Sequence, residues 1–172
     1  MATASAAELQ PVSQTLPTPH SPALFTTTRR VEFADTDMAG IVHFANFFRY
    51  MEQAEHEFLR SVGLSVAMDQ PDGSVIGWPR VSCSCSFDEP ARFEDELEIR
   101  LSVSRIGVKS ITYDIGFFRS DTQLASGRTK AVCCRFRHGE TMQSIEIPRE
   151  MRERLERGAG PMTNVEGRMT KE

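Results

Sequence analysis

The sequence predicts an α+β fold in which one long helix packs against a curved antiparallel sheet of five to six strands. Three observations support this class. Only one long segment, residues 44–61, repeats its apolar residues at helical spacing. One run before it and several runs after it alternate apolar and polar residues, as strands with one buried face do. A single amphipathic helix must bury its apolar stripe, and a sheet with one apolar face can cover it.

The first predicted strand covers residues 25–33, where the residues alternate and β-branched side chains are frequent. It is followed by residues 35–40, whose two aspartates and terminal glycine have the chemistry of a turn. The sequence shows no internal repeat. The sequence therefore leads from a strand, through a tight turn, directly into the long helix.

The long helix is predicted over residues 44–61, with Asn46 capping its first turn and Gly63 just beyond its end. Its apolar stripe contains Phe47, Met51, Ala54, Phe58 and Val62. Its polar side contains Glu52, Glu55, His56 and Glu57, which are expected on a solvated face. There Glu52 and His56 have the i,i+4 spacing of a side-chain pair.

The rest of the chain alternates between strands and turns. A loop is predicted at residues 69–73, and a short strand begins near Val75. The longer strands are predicted at residues 81–87, 97–103, 111–117, 124–137 and 144–147. Pro148 then opens a short second helix that Gly158 closes.

Composition indicates one globular domain at residues 25–158, after a leader at 1–24 and before a loose polar tail at 159–172. The leader is expected to be disordered, since it is rich in Pro, Ala, Ser and Thr and carries a single charge, Glu8. The net charge of -4 gives no basic field for nucleic acid. The sequence contains no apolar run of 18 residues and no secretory signal pattern, so we expect a cytoplasmic protein without a membrane span.

The four cysteines are expected to be free thiols. They are Cys83, Cys85, Cys133 and Cys134. Their C-x-C and C-C spacings differ from the C-x₂-C pairs typical of zinc sites, and reduced thiols are usual in cytosolic proteins. We therefore expect no metal.

The chemistry is concentrated between Phe33 and Asn46. Two carboxylates, Asp35 and Asp37, are followed by Gly40 and then by a helix start. A helix N-terminus offers unpaired N–H groups and a partial positive charge, which can stabilise an oxyanion beside an acid that attacks or activates water. The simpler interpretation is that Asp37 is a turn or cap residue that contributes about 1 kcal/mol of stability.

The same stretch resembles the signature of the 4-hydroxybenzoyl-CoA thioesterase family of the hotdog fold. The similarity lies in an aromatic residue, D-x-D-x-x-G-[IV]-V and an Asn just inside the helix, which here is Asn46. Residues 81–87, the acidic strand start at 95–97 and residues 144–148 are also similar to the family. The resemblance covers about residues 28–155.

The resemblance implies an acyl-CoA thioesterase for aromatic or for short- to medium-chain acyl groups. It places the catalytic carboxylate at Asp37 and the oxyanion donor at the N–H of Phe44. Gly40, His43, Asn46 and Tyr50 become candidates for oxyanion or substrate contacts. Lys109 and, less closely, Arg105 match positions that bind the CoA phosphates. The implied assembly is a homodimer or a dimer of dimers with a site between subunits, and no cofactor is expected besides the CoA of the substrate.

Three alternatives remain open at the level of sequence. Glu52 and Glu55 are further candidate acids, because another thioesterase branch carries its carboxylate on the helix. A module of the same fold that binds acyl-CoA, an acyl carrier or a protein partner without hydrolysis is the main alternative function. A hotdog dehydratase would need an Asp/His pair at the helix start, and no such pair is evident.

Overall fold

The computed structural model describes residues 24–160. Its strands are β1 (Leu24–Arg30), β2 (Ala67–Asp69), β3 (Val75–Gly77), β4 (Arg80–Phe87), β5 (Glu96–Ile106), β6 (Ser110–Arg119), β7 (Thr122–Val132), β8 (Cys134–Phe136) and β9 (Gln143–Ser144). Its helices are α1 (Phe44–Ser61) and α2 (Arg149–Ala159). The predicted leader lies outside the described residues except for its last residue, and the predicted tail is described only as far as Gly160. In the described part of the chain, no helix is long and apolar enough to cross a membrane.

The main sheet has five antiparallel strands in the order β1-β5-β6-β7-β4. Alternate residues of β5 and β6 form its buried face, as their alternation predicts. The fully buried ones include Leu97, Ile99, Leu101, Ile111 and Tyr113. These residues pack in one core cluster with the apolar stripe of α1. The predicted arrangement of one helix on an antiparallel sheet is confirmed.

Helix α1 has the bounds that its sequence pattern predicts, but its cap differs. Gly63 follows the helix end with a φ of +73°, the left-handed conformation that favours glycine. At the other end the cap is His43, whose Nδ1 accepts a hydrogen bond from the Ala45 N–H. The prediction that Asn46 caps the helix is therefore wrong, because Asn46 lies inside the first turn with its side chain buried.

Other predicted boundaries also shift. β1 ends at Arg30, short of the predicted end at Phe33, and a 3₁₀ turn follows at Phe33–Asp35. The second helix continues through Gly158 to Ala159, so Gly158 does not close it. A Cβ on Gly158 would overlap the Val62 Cγ1 atom, which shows that glycine is needed there for close approach of the two helices.

Two features of the strands were not predicted. β2, β3, β8 and β9 form a second, four-stranded sheet. The predicted strand at 124–137 is interrupted at Cys133. Its first part, β7, belongs to the main sheet, and its second part, β8, belongs to the second sheet. β4 is an edge strand, and its side chains are largely exposed, Val81 at 59% and Phe87 at 49%. The side of β4 turned away from β7 has no strand partner among residues 24–160.

Candidate active site

Asp37 stands in a tight hairpin formed by residues 36–42, whose ends pair as an antiparallel bridge. The Asp37 N–H donates to the Ile41 carbonyl and the Gly40 N–H donates to the Asp37 carbonyl, both at 2.9 Å. Gly40 has a φ of +71°, so the turn requires its glycine. The Asp37 Oδ1 accepts from the Ala39 N–H at 2.8 Å. This bond orients the carboxylate and leaves Oδ2 without a partner among the described residues.

The start of α1 presents one unused N–H group beside this hairpin. The N–H of Ala45 is bound by the His43 side chain, and the N–H of Asn46 donates to the His43 carbonyl at 2.9 Å. The N–H of Phe44, the first residue of the helix, has no hydrogen-bond partner within residues 24–160. Because the cap uses the Nδ1 lone pair, the neutral His43 ring carries its proton on Nε2. The helix start therefore retains one donor and the positive end of the helix dipole.

Asp35 connects the hairpin to the helix through both its backbone and its side chain. Its carbonyl accepts from the His43 N–H at 2.9 Å and from the Asn46 Nδ2 at 2.8 Å. Its Oδ2 accepts from the Tyr50 hydroxyl at 2.8 Å and from the Glu32 N–H at 2.9 Å. Burial, followed by the bond to Asp35, raises the pKa of Tyr50 well above its usual range. Asn46 and Tyr50 thus direct their polar groups to Asp35.

An apolar cleft of about 450 Å³ opens beside the start of α1. Aromatic rings form much of it, and the Phe47 ring lies 5.2 Å from that of Phe87. Its lining consists of Ile41, Val42, Phe44, Phe47, Phe87 and residues 88–91. The cleft therefore borders both the hairpin, through Ile41 and Val42, and the first residue of α1, Phe44.

Comparison with known proteins identifies the family. The family model described as "Thioesterase-like superfamily" matches residues 31–155. The chain belongs to this superfamily. A 4-hydroxybenzoyl-CoA thioesterase of Pseudomonas sp. (strain CBS-3) is 30% identical over 128 residues, 72% of this chain and 91% of the relative. A 1,4-dihydroxy-2-naphthoyl-CoA hydrolase of Nostoc punctiforme is 31% identical over 150 residues, 86% of this chain and 97% of the relative.

Solved structures of thioesterases share the architecture. A gentisyl-coenzyme A thioesterase superposes with a TM-score of 0.65 at 31% identity, over 77% of this chain and 100% of that one. A 1,4-dihydroxy-2-naphthoyl-CoA thioesterase from Synechocystis gives a TM-score of 0.66 at 26% identity, over 77% and 95% of the two chains. The predicted hotdog fold is confirmed for this member of the thioesterase-like superfamily.

Lys109 and Arg105 lie far from Asp37 in this thioesterase-like chain. Both are exposed, and the Lys109 Nζ lies 3.5 Å from the Ser144 carbonyl. Lys109 lies in the β5–β6 turn and Arg105 at the adjoining end of β5, whereas the other end of β5 pairs with Arg30, just before the hairpin. At about 3.3 Å per residue, the length of β5 separates the two ends by roughly 33 Å. A single chain does not bring these cations to the acid.

Glu55 departs from its prediction as a solvated residue, because its side chain is fully buried. Its Oε2 accepts from the Arg80 Nη2 at 3.0 Å and Nε at 3.2 Å, whereas its Oε1 has no partner. Burial raises the pKa of Glu55, and Arg80 opposes that rise. Glu52 also binds Arg80, at 3.1 Å, instead of the predicted His56. Burial, followed by the charge of Arg80, lowers the pKa of His56.

A signal for the burial of Glu55 exists in the sequence. Glu55 follows Met51 by four residues and precedes Leu59 by four, so it lies within the apolar stripe and not opposite it. The buried ion pair fixes the start of β4 to the middle of α1. It lies away from the hairpin, since the end of β4 that meets the cleft is the one at Phe87.

Proposed function

We propose that this thioester hydrolase cleaves the CoA thioester of an aromatic acid, with Asp37 as its catalytic carboxylate. One observation carries the proposal: the start of α1, where the Phe44 N–H is unused, adjoins both the Asp37 hairpin and an aromatic-lined cleft. The relatives named for hydroxylated aromatic acyl-CoA substrates support the acyl class. Short- and medium-chain acyl groups are the alternative that a substrate panel separates.

In the proposed reaction, the thioester oxygen accepts a hydrogen bond from the Phe44 N–H, which stabilises negative charge as it develops. Asp37 then acts in one of two ways. Its free carboxylate oxygen attacks the carbonyl carbon and displaces the CoA thiolate, and water hydrolyses the resulting anhydride. Alternatively, it takes a proton from the water that attacks. Both routes place the carboxylate on the same side of the thioester, and both end in the free acid and CoA.

The complete site, we propose, needs a second copy of the chain. Around Asp37 the side chains of Phe33, Met38 and Phe44 are 76%, 107% and 60% exposed, an unusual apolar surface for a monomer. The unpaired edge of β4 offers eight residues for antiparallel pairing with another β4. Burial of this edge and of the apolar residues near it would favour a homodimer.

Such pairing would also bring in the CoA-binding cations. β4 runs from Arg80 toward the cleft at Phe87. The β4 strand of a second chain would run in the opposite direction. Its Arg80 end, and the β5–β6 turn of that second chain, would then lie beside Asp37 of the first chain. Lys109 of that turn and Arg105 at the end of β5 would then face the phosphates of CoA.

We further propose a dimer of dimers, a cytoplasmic location and no cofactor besides the CoA of the substrate. In the described part of the chain, the sheet face turned away from α1 has no covering element, and a groove of about 520 Å³ crosses it. All four cysteines are free, as predicted, which suits a reducing compartment. Sedimentation velocity measures the oligomer directly.

The test is a panel of aromatic and aliphatic acyl-CoAs in which a chromogenic thiol reagent detects the released CoA. We expect Asp37→Asn to lower kcat by about 10²–10⁴-fold, as loss of an acid–base or nucleophilic group does. Asp121→Asn, in the exposed β6–β7 turn, is the matched control and should keep the wild-type rate. The proposal fails if no thioester is cleaved or if Asp37→Asn is fully active. Binding of acyl-CoA without turnover would instead indicate the non-hydrolytic module.

A further inference from the structure

Asp35 directly precedes the hairpin that carries Asp37, and several hydrogen bonds converge on it. Asp35 accepts four hydrogen bonds, from the backbone of Glu32, the backbone of His43 and the side chains of Asn46 and Tyr50. Two of these donors precede α1 and two project from its first two turns. Asp35 is therefore the point at which the exit of β1, the hairpin and the helix meet.

The two helix donors are built for this contact. Asn46 and Tyr50 are four residues apart, so they lie on one face of α1, and they are only 9% and 5% exposed. A buried amide and a buried phenol both need partners, and here both find them on one residue. Burial, followed by the bond to Asp35, raises the pKa of Tyr50, which favours the protonated hydroxyl that donates to Asp35.

From these contacts we infer that Asp35 and Tyr50 are positioning residues, which hold the Asp37 hairpin at a fixed distance from the Phe44 N–H. The inference rests on the proposed function and adds a role that the catalytic residues alone do not give. Phe44 follows His43, and Asp37 follows Asp35 by two residues. The Asp35–His43 and Asp35–Tyr50 bonds therefore hold the Phe44 N–H and the Asp37 carboxylate relative to the same residue, Asp35. Displacement of a catalytic group by about 1 Å can cost about 10²-fold in rate.

Tyr50→Phe is the sharpest test, since it removes one hydroxyl and retains the buried ring. We expect kcat to fall between about tenfold and 100-fold while KM changes less than about twofold, because the lost contact does not touch the substrate. Tyr113→Phe is the matched control. Tyr113 is also buried, but it lies on β6 and takes no part in the Asp35 contacts, so loss of its hydroxyl should leave kcat unchanged.

A second measurement does not depend on hydrolysis. In hydrogen exchange of the full-length protein, Tyr50→Phe should accelerate exchange of the Asp37, Gly40 and His43 amides, which are bonded within or at the base of the hairpin. Tyr113→Phe should not accelerate them. Faster exchange together with lower kcat supports the inference.

Three outcomes would overturn it: wild-type kcat in Tyr50→Phe, a loss no larger than that of Tyr113→Phe, or a loss confined to KM. If the wild-type protein cleaves no thioester, the proposed function fails, and exchange alone decides whether Tyr50 holds the hairpin. Unchanged exchange at the three amides would then refute the positioning role.

Discussion

The oxyanion role of a backbone N–H can be tested by substitution at Phe44. Phe44 is the first residue of α1, the position where proline is best tolerated in a helix because its missing N–H is not used by the helix. His43, the preceding residue, has φ -61° and ψ 133°, the extended conformation that a following proline requires. Phe44→Pro therefore removes one hydrogen-bond donor without opposing the local backbone.

The size of the effect follows from the number of donors at this helix end. The Ala45 and Asn46 N–H groups are both bound by His43, so no other free donor at the start of α1 can replace that of Phe44. We expect the full loss typical of one oxyanion donor, about 10²–10³-fold in kcat or about 2.7–4 kcal/mol of transition-state stabilisation.

Phe44→Ala is the control for the side chain, which is 60% exposed and lines the cleft. Steady-state hydrolysis of the best acyl-CoA is compared between the two variants, and melting temperatures establish that both remain folded. Phe44→Pro should be at least about tenfold slower than Phe44→Ala. Equal rates in two folded variants would refute the assignment of the Phe44 N–H as the oxyanion donor.

Two further predictions concern charged residues. Lys109→Ala should raise KM for a CoA thioester about three- to tenfold, the cost of one exposed charge contact. KM for the pantetheine thioester, which lacks the nucleotide phosphates, should not change. Equal increases for both substrates would contradict a phosphate contact. Burial raises the pKa of Glu55, so the folded chain binds the proton of this carboxyl more tightly than the unfolded chain does. Proton binding therefore stabilises the fold below the ordinary pKa of 4.5, and this stabilisation is lost as pH rises through the raised pKa. Glu55→Gln should therefore gain stability relative to wild type as pH rises above 4.5, as measured by urea unfolding; a difference independent of pH would contradict the shift.

Local patterns predicted the elements that form the candidate site. The bounds of α1 follow from its apolar stripe and from Gly63, and the hairpin follows from the aspartates and Gly40. Both depend on residues within a few positions of one another. Asp35 was expected to be a turn residue, but its bond to Tyr50, fifteen positions later, depends on the packing of the hairpin against the helix.

Features set by distant contacts were not predictable in the same way. Cap preferences favoured Asn46, yet the Asp35 carbonyl draws its side chain away from the helix end and leaves the cap to His43. Glu55 is polar and was assigned to the solvated side, although its spacing places it in the apolar stripe, where Arg80 from β4 pairs with it. The alternation of residues 81–87 predicts a strand but not its position at the sheet edge, which depends on strand order.

The hairpin at 36–42 closes into a ring, since the Asp35 carbonyl accepts from the His43 N–H across its base. The acid and the amide donor are thus attached to each other more directly than either is attached to the sheet. When the sheet flexes, the pair should move as one body and keep its internal spacing. A mutation remote from the ring can then alter how substrate reaches it while the chemical step proceeds at its normal rate.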